Sequence, residues 1–146
     1  MPFTVSEMVE RIARPGQDKA GLSERIRHWT REGLLNPIGE RNPGTGRHRE
    51  YDDVALEDAA LLNAMADMGL QIGTMDMALR VAQQRHSEWG KGKIKKGQLR
   101  FLQIDFRANQ DPFPRLHSGN FRGRGFEKSI VFNLTELIAR LKTEKD

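Results

Sequence analysis

The sequence predicts a mainly α fold with small β elements, in which a helical first half interrupted by one hairpin is followed by a short α+β C-terminal region. Three observations carry this reading. Apolar residues recur at helical spacing in four segments before residue 90. A cluster of turn residues, Asn42-Pro43-Gly44-Thr45-Gly46, separates the second segment from the third. After Gly97 the apolar period shortens to two before one last helical stretch.

Thr4-Val5-Ser6-Glu7 reads as a capping box, the hydroxyl and carboxylate satisfying the free amides that open a helix. Val5, Met8, Val9 and Ile12 then share one face of that helix. Pro15-Gly16 breaks it, and Leu22, Ile26 and Trp29 mark the apolar side of a second helix that runs to about Glu32 and stops at Gly33. Leu34-Leu35-Asn36-Pro37 leaves in an extended path toward the hairpin. Asp52 or Asp53 can cap a third helix, with Leu56, Ala59, Leu62 and Met65 facing inward and Gly69 as its stop. Thr74 can cap a fourth, with Met75, Leu79, Ala82 and Trp89 on one face, ending at Gly90. Residues 91 to 97 have the glycine and like-charge content of a connector. Leu102, Ile104 and Phe106 alternate as a strand. A Gly/Arg/Pro-rich loop separates this strand from a second at Ser129 to Phe132, after which Asn133 opens a helix carrying Leu134, Leu137, Ile138 and Leu141.

The expected division is therefore a helical domain over residues 1–75, a helix and basic linker over 76–96, and a small α+β region over 97–146. The last region buries little by itself, which makes it a candidate dimerisation or regulatory element.

Composition narrows the chemistry. The chain has 146 residues and no cysteine, which removes disulfides, thiolate metal sites and cysteine nucleophiles. Its first residues lack a basic stretch followed by an apolar core, and no run reaches bilayer length, so a cytoplasmic protein without a membrane partner is expected. The formal charge of +4 favours polyanionic partners. Its distribution is uneven: residues 1–54 hold 9 basic and 9 acidic side chains, whereas residues 91–128 hold 10 and 3. Nucleic-acid binding by the first half must therefore rest on a charged face and not on net charge.

The order helix, break, helix, glycine-tipped hairpin, helix is that of a compact winged helix-turn-helix. In such a module one helix enters the major groove and the wing tracks the backbone, so basic side chains belong on both. Arg25, Arg27, His28 and Arg31 lie on the second helix, and Arg47, His48 and Arg49 on the hairpin. At this point the residues resemble a family. Arg27-His28-Trp29-Thr30-Arg31-Glu32-Gly33-Leu34-Leu35-Asn36-Pro37 is similar to the MerR signature of an arginine and two aromatics before an acidic turn and Gly-Leu-Leu-x-Pro. Gly46-Arg47-His48-Arg49-Glu50-Tyr51-Asp52-Asp53 resembles that family's wing exit, and Leu56 through Ile72 its next helix. The resemblance covers about residues 1–75. It implies backbone contacts from Arg27, Arg47 and Arg49, and a structural or backbone role for Tyr51. Three departures stand out: a longer turn from Arg14 to Gly21, His28 in place of the first aromatic, and Glu50 where a second arginine is common.

The resemblance implies a sequence-specific transcriptional regulator with a recognition helix at about 22–32 in the major groove and a wing at about 38–51 on the backbone. The implied partners are double-stranded DNA, a second copy of the chain in a homodimer, and RNA polymerase at the promoter. Two alternatives stay open. One is an architectural or excisionase-like DNA-binding protein, and the other a winged-fold protein-interaction module using the basic 91–128 surface. Trp29 is expected in the core, and Tyr51 can equally pack the wing. Met65, Met68, Met75 and Met77 read as packing. His28, His48, His86 and His117 show no metal-ligand spacing, and no nucleophile–base pair or phosphate-binding loop is evident, so no cofactor and no enzymatic activity are expected. The loop Asn120 to Phe126 interleaves aromatics, arginines and glycines. That composition suits phosphate contact and base stacking, and is equally that of a loop with incidental charge.

Overall fold

The structure, a computed structural model, describes residues 2–39, 48–86, 99–121 and 126–143. The chain is mainly helical with one small sheet and divides into two compact units, Met1–Met68 with Arg140–Asp146, and Gly69–Ala139.

The first unit holds α1 (Val5–Ile12), α2 (Lys19–Arg31) and α3 (Asp53–Asp67). The Thr4 hydroxyl accepts from the Glu7 amide at 3.2 Å and the Glu7 carboxylate accepts from the Thr4 amide at 3.3 Å, so the capping box forms as its spacing predicts. Met8, Val9 and Ile12 are buried. Gly16, at φ +81, turns the chain between α1 and α2. The second helix begins earlier than its apolar stripe indicates, because the Asp18 side chain caps it by accepting from the Ala20 amide. Leu22, Ile26 and Trp29 are buried. Asp52, and not Asp53, caps α3, its carboxylate accepting from the Ala55 amide at 2.8 Å. The expected stripe of Leu56, Ala59, Leu62 and Met65 is buried, together with Ala60 and Leu61. Two single bridges flank the hairpin segment: Ile38 pairs with Glu50 across its base, and Tyr51 at its exit pairs with Phe3 of the N-terminal segment. The hairpin tip at 42–46 lies outside the described residues.

The second unit holds α4 (Ile72–Gln83), a 3-10 turn (Gln84–His86), β1 (Phe101–Phe106), β2 (Phe113–His117), β3 (Lys128–Asn133) and the start of α5 (Leu134–Thr143). The fourth helix differs from its sequence reading. It starts at Ile72 behind Gln71, with no side-chain cap, and Thr74 is its third residue. Gly69, at φ +77, follows the C-cap of α3, and four residues, Met68 to Gln71, separate α3 from α4. Trp89 and Gly90 lie outside the described residues.

The sheet is antiparallel with order β2-β1-β3. The segment read as one loop between two strands contains β2. Pro114 and Arg115 hide it in the sequence, since a proline inside a run argues against a strand. Here β2 is an edge strand, where a missing N–H is tolerated. Asn109, at φ 61, occupies the turn between β1 and β2. α4 packs against β2 and β1, and its Met75, Ala78, Leu79 and Ala82 are buried, as are Leu102 and Ile104. Asn133 opens α5 as expected, its side chain accepting from the Glu136 amide.

Candidate nucleic-acid interface

Helical periodicity gives α2 two faces. Leu22, Ile26, Trp29 and Thr30 are buried, while Glu24, Arg27, His28 and Arg31, at i, i+3, i+4 and i+7, are exposed. Arg27, His28 and Arg31, expected from the sequence to meet DNA, thus share one outward face. Arg27 donates to Glu24 at 2.8 Å, an exposed i,i+3 pair of the kind that contributes little and exchanges readily for another anion.

Arg25 lies off that face. Its guanidinium donates to Asn63 at 3.0 Å and to Asp67 at 3.1 Å, both on α3. Asn63 is itself buried and exchanges two hydrogen bonds with Gln17, at 2.9 and 3.0 Å, while Arg14 also pairs with Asp67. Gln17 further accepts from the Arg14 amide at 3.1 Å. This network ties the long turn and the flank of α2 to α3, so Arg25 braces the helix that presents its neighbours. The extra turn length is therefore anchored, by Gln17 on Asn63, in a way that spacing alone does not reveal.

The end of α2 is a Schellman turn. Gly33 adopts φ +82, its amide donates to the Thr30 carbonyl at 3.1 Å, and the Leu34 amide donates to the Trp29 carbonyl at 2.8 Å. Leu34 and Leu35 are thereby directed into the core, where both are buried. The Gly-Leu-Leu element of the sequence pattern is therefore a stop signal followed by two anchors.

Tyr51 is at 0% exposure, and its hydroxyl meets that of Thr30 at 2.8 Å. Thr30 in turn donates to the Ile26 carbonyl at 2.8 Å. Backbone bonds between Phe3 and Tyr51, at 2.7 and 2.8 Å, tie the same residue to the N-terminal segment. Of the two roles open to Tyr51, packing is the one its burial supports: the residue joins the wing exit to α2. His48 is exposed and Arg49 half-buried at the base of the wing, and Arg47 lies outside the described residues. Among the described residues no cluster of histidine, aspartate or glutamate is arranged to hold a metal ion.

Two helices joined by an anchored turn, the second presenting a basic outward face and braced to a third, define a helix-turn-helix module. Residues 19–81 match the family model described as MerR HTH family regulatory protein, from the first residue of α2 to Val81 in α4. Through residues 19–81 the chain is similar to the MerR HTH family, a match that supports a DNA-binding transcription regulator in general. No curated protein matches the chain. Among the described residues no helix is long and apolar enough to cross a membrane.

Proposed function

We propose that the chain is a sequence-specific regulator that reads double-stranded DNA with the outward face of α2 in the major groove and with the wing on the adjacent backbone. The observation that carries this reading is the grouping of Arg27, His28 and Arg31 on one exposed face of a helix held by the Arg25 brace and the Thr30–Tyr51 bond. A braced helix keeps its side chains in register with base edges, and a planar guanidinium suits guanine or phosphate. His48, Arg49 and, from the sequence, Arg47 supply the wing contacts, and residues 1–75 form the functional DNA-binding segment. One module covers one half-site, so the functional form is a homodimer on a two-fold operator, with residues 97–146 as its pairing element and RNA polymerase as the partner at the promoter.

Footprinting the protein on its own upstream region tests this. Protection of two half-sites about one helical turn apart is expected. Arg31→Ala should abolish protection at concentrations where the wild type saturates. Protection that survives Arg27→Ala, Arg31→Ala and Arg49→Ala together would refute the proposal.

A further inference from the structure

The loop at 118–121 leaves the end of β2 and is tied back to that strand by two hydrogen bonds. The Gly119 amide donates to His117 Nδ1 at 3.0 Å, and Arg115 donates to the Asn120 carbonyl at 2.8 Å. Phe121 then sits edge-on to the His117 ring at 4.7 Å and to Phe101 at 5.0 Å. The imidazole is held from its other side too. It stacks on Phe101 at 5.5 Å, and its Nε2 meets Gln103 Oε1 at 2.9 Å. The amide nitrogen of Gln103 is committed to Asp105 at 2.7 Å, and Asp105 also receives hydrogen bonds from Ser129 and Arg115, so Gln103 offers the imidazole an acceptor. A backbone N–H only donates. Nδ1 is therefore an acceptor and the proton sits on Nε2, which fixes the neutral ring in one tautomer.

We propose that protonation of His117 is a switch that releases the loop at 118–121, and Phe121 with it, from the sheet. An imidazolium carries a proton on both nitrogens, and the one on Nδ1 faces the Gly119 N–H, donor against donor. Either the ring or the loop must then move. The ring keeps its bond to Gln103 and its stack on Phe101 in both charge states. The loop loses its tie at Gly119, and Arg115, the donor of its other tie, comes to lie beside a new positive charge. Phe121 is 52% exposed even when docked, so its departure uncovers little further apolar surface. The loop is therefore the part that moves. The charged groups facing the imidazole are Arg115 on its own strand and Asp105 on β1. β3 brings Ser129, Val131 and Asn133 to this face, none of them charged, while α4 buries its apolar stripe and pairs Asp76 with Arg80. Burial and the Arg115 charge outweigh Asp105 and hold the imidazole below 6.5, so acidification throws the switch. Burial raises the Asp105 carboxyl, but its bonds from Ser129, Gln103 and Arg115 hold it below 3.8, so it keeps its charge while His117 gains a proton.

Nuclear magnetic resonance of the full chain, titrated from about pH 7.5 to about pH 4.5, tests the proposal. At the upper end the His117 nitrogens should report a proton on Nε2 alone. As pH falls, the His117 ring, the Gly119 amide and the Phe121 ring should change with one common midpoint below 6.5. The exchange protection of the Gly119 amide should drop about fivefold or more, the worth of one such bond. The cross-strand contacts between Phe101 and Asn133 should persist through that midpoint. His117→Asn puts an oxygen acceptor in the place of Nδ1 and does not titrate, so its Gly119 and Phe121 signals should show no such midpoint. The proposal is overturned by a proton on Nδ1 at neutral pH, or by a Gly119 amide or Phe121 ring that does not follow the His117 titration. Loss of the contacts between Phe101 and Asn133 at or above the His117 midpoint also overturns it, since that is unfolding of the sheet. So does a folded His117→Asn that keeps the wild-type transition; if that variant does not fold, the wild-type titration decides by itself.

Discussion

Tyr51 and Thr30 share one buried hydrogen bond, and through it the wing exit and α2 hold a single relative position. Tyr51→Phe keeps the packed ring and removes only the hydroxyl, while Thr30 keeps its bond to Ile26. Denaturant unfolding of that variant should show a loss of about 1 kcal/mol. His117 shows the same economy with a titratable group. The Gly119 amide must donate, so Nδ1 accepts and Nε2 carries the proton that reaches Gln103 at 2.9 Å. Burial, with the Arg115 charge beside it and Asp105 opposing, holds the imidazole below its ordinary value of 6.5. Burial would raise Asp105, but hydrogen bonds from Ser129, Gln103 and Arg115, with the Arg115 charge, outweigh it and hold the carboxyl below 3.8. Both groups bind fewer protons folded than unfolded, so both make stability rise with pH. The His117 contribution is complete above 6.5 and is lost as pH falls through its lowered folded value; that of Asp105 is lost below 3.8. Thermal melts between about pH 7.5 and about pH 5.5 should therefore show the wild type losing stability on acidification, with a flatter dependence in His117→Gln.

α2 has a buried face and an exposed one, and periodicity alone separates Trp29 from Arg27, His28 and Arg31. It does not separate Arg25 from them. All four are basic residues on one helix, and only the position of α3 makes Arg25 a brace to Asn63 and Asp67. Arg25→Ala should accordingly cost about 1 kcal/mol of stability, with a smaller drop in duplex affinity than Arg31→Ala, when unfolding and anisotropy are measured in parallel. β2 is illegible in the sequence for a related reason: whether a strand tolerates Pro114 depends on its place at the sheet edge. The start of α4 shows the converse, since a plausible cap at Thr74 is overridden by a helix that begins at Ile72 without any side-chain cap.

Charge is partitioned over the molecule in a way that local motifs do not convey. The segment that matches the DNA-binding family lies largely in the less basic unit, and the positive excess lies in residues 69–139. On the proposed reading, duplex recognition depends on a few placed arginines. Removing one phosphate-binding arginine should lower the slope of log affinity against log salt by about 1, so Arg27→Ala with Arg49→Ala should reduce it by about 2. Neutralising Lys93, Lys95 and Lys96 should leave the slope on duplex DNA unchanged. The opposite pattern in a salt titration would move the duplex-binding surface to the basic segment.

Short-range physics made much of the molecule readable from residue order. The Thr4–Glu7 box, the Gly33 and Gly69 stops and the apolar stripes of α2 and α3 depend on neighbours within one or two helical turns, and each is found where its spacing puts it. The assignment of Arg25 to bracing, the burial of Tyr51 and the anchoring of the long turn by Gln17 depend on residues 38, 21 and 46 positions away. So does the gathering of Phe113, His117 and Val131 on one sheet face depend on distant segments, since it follows from register and not from composition. Hydrogen bonds and burial between such segments carry no local period, and that is why folding had to bring the partners together before these roles could be told apart.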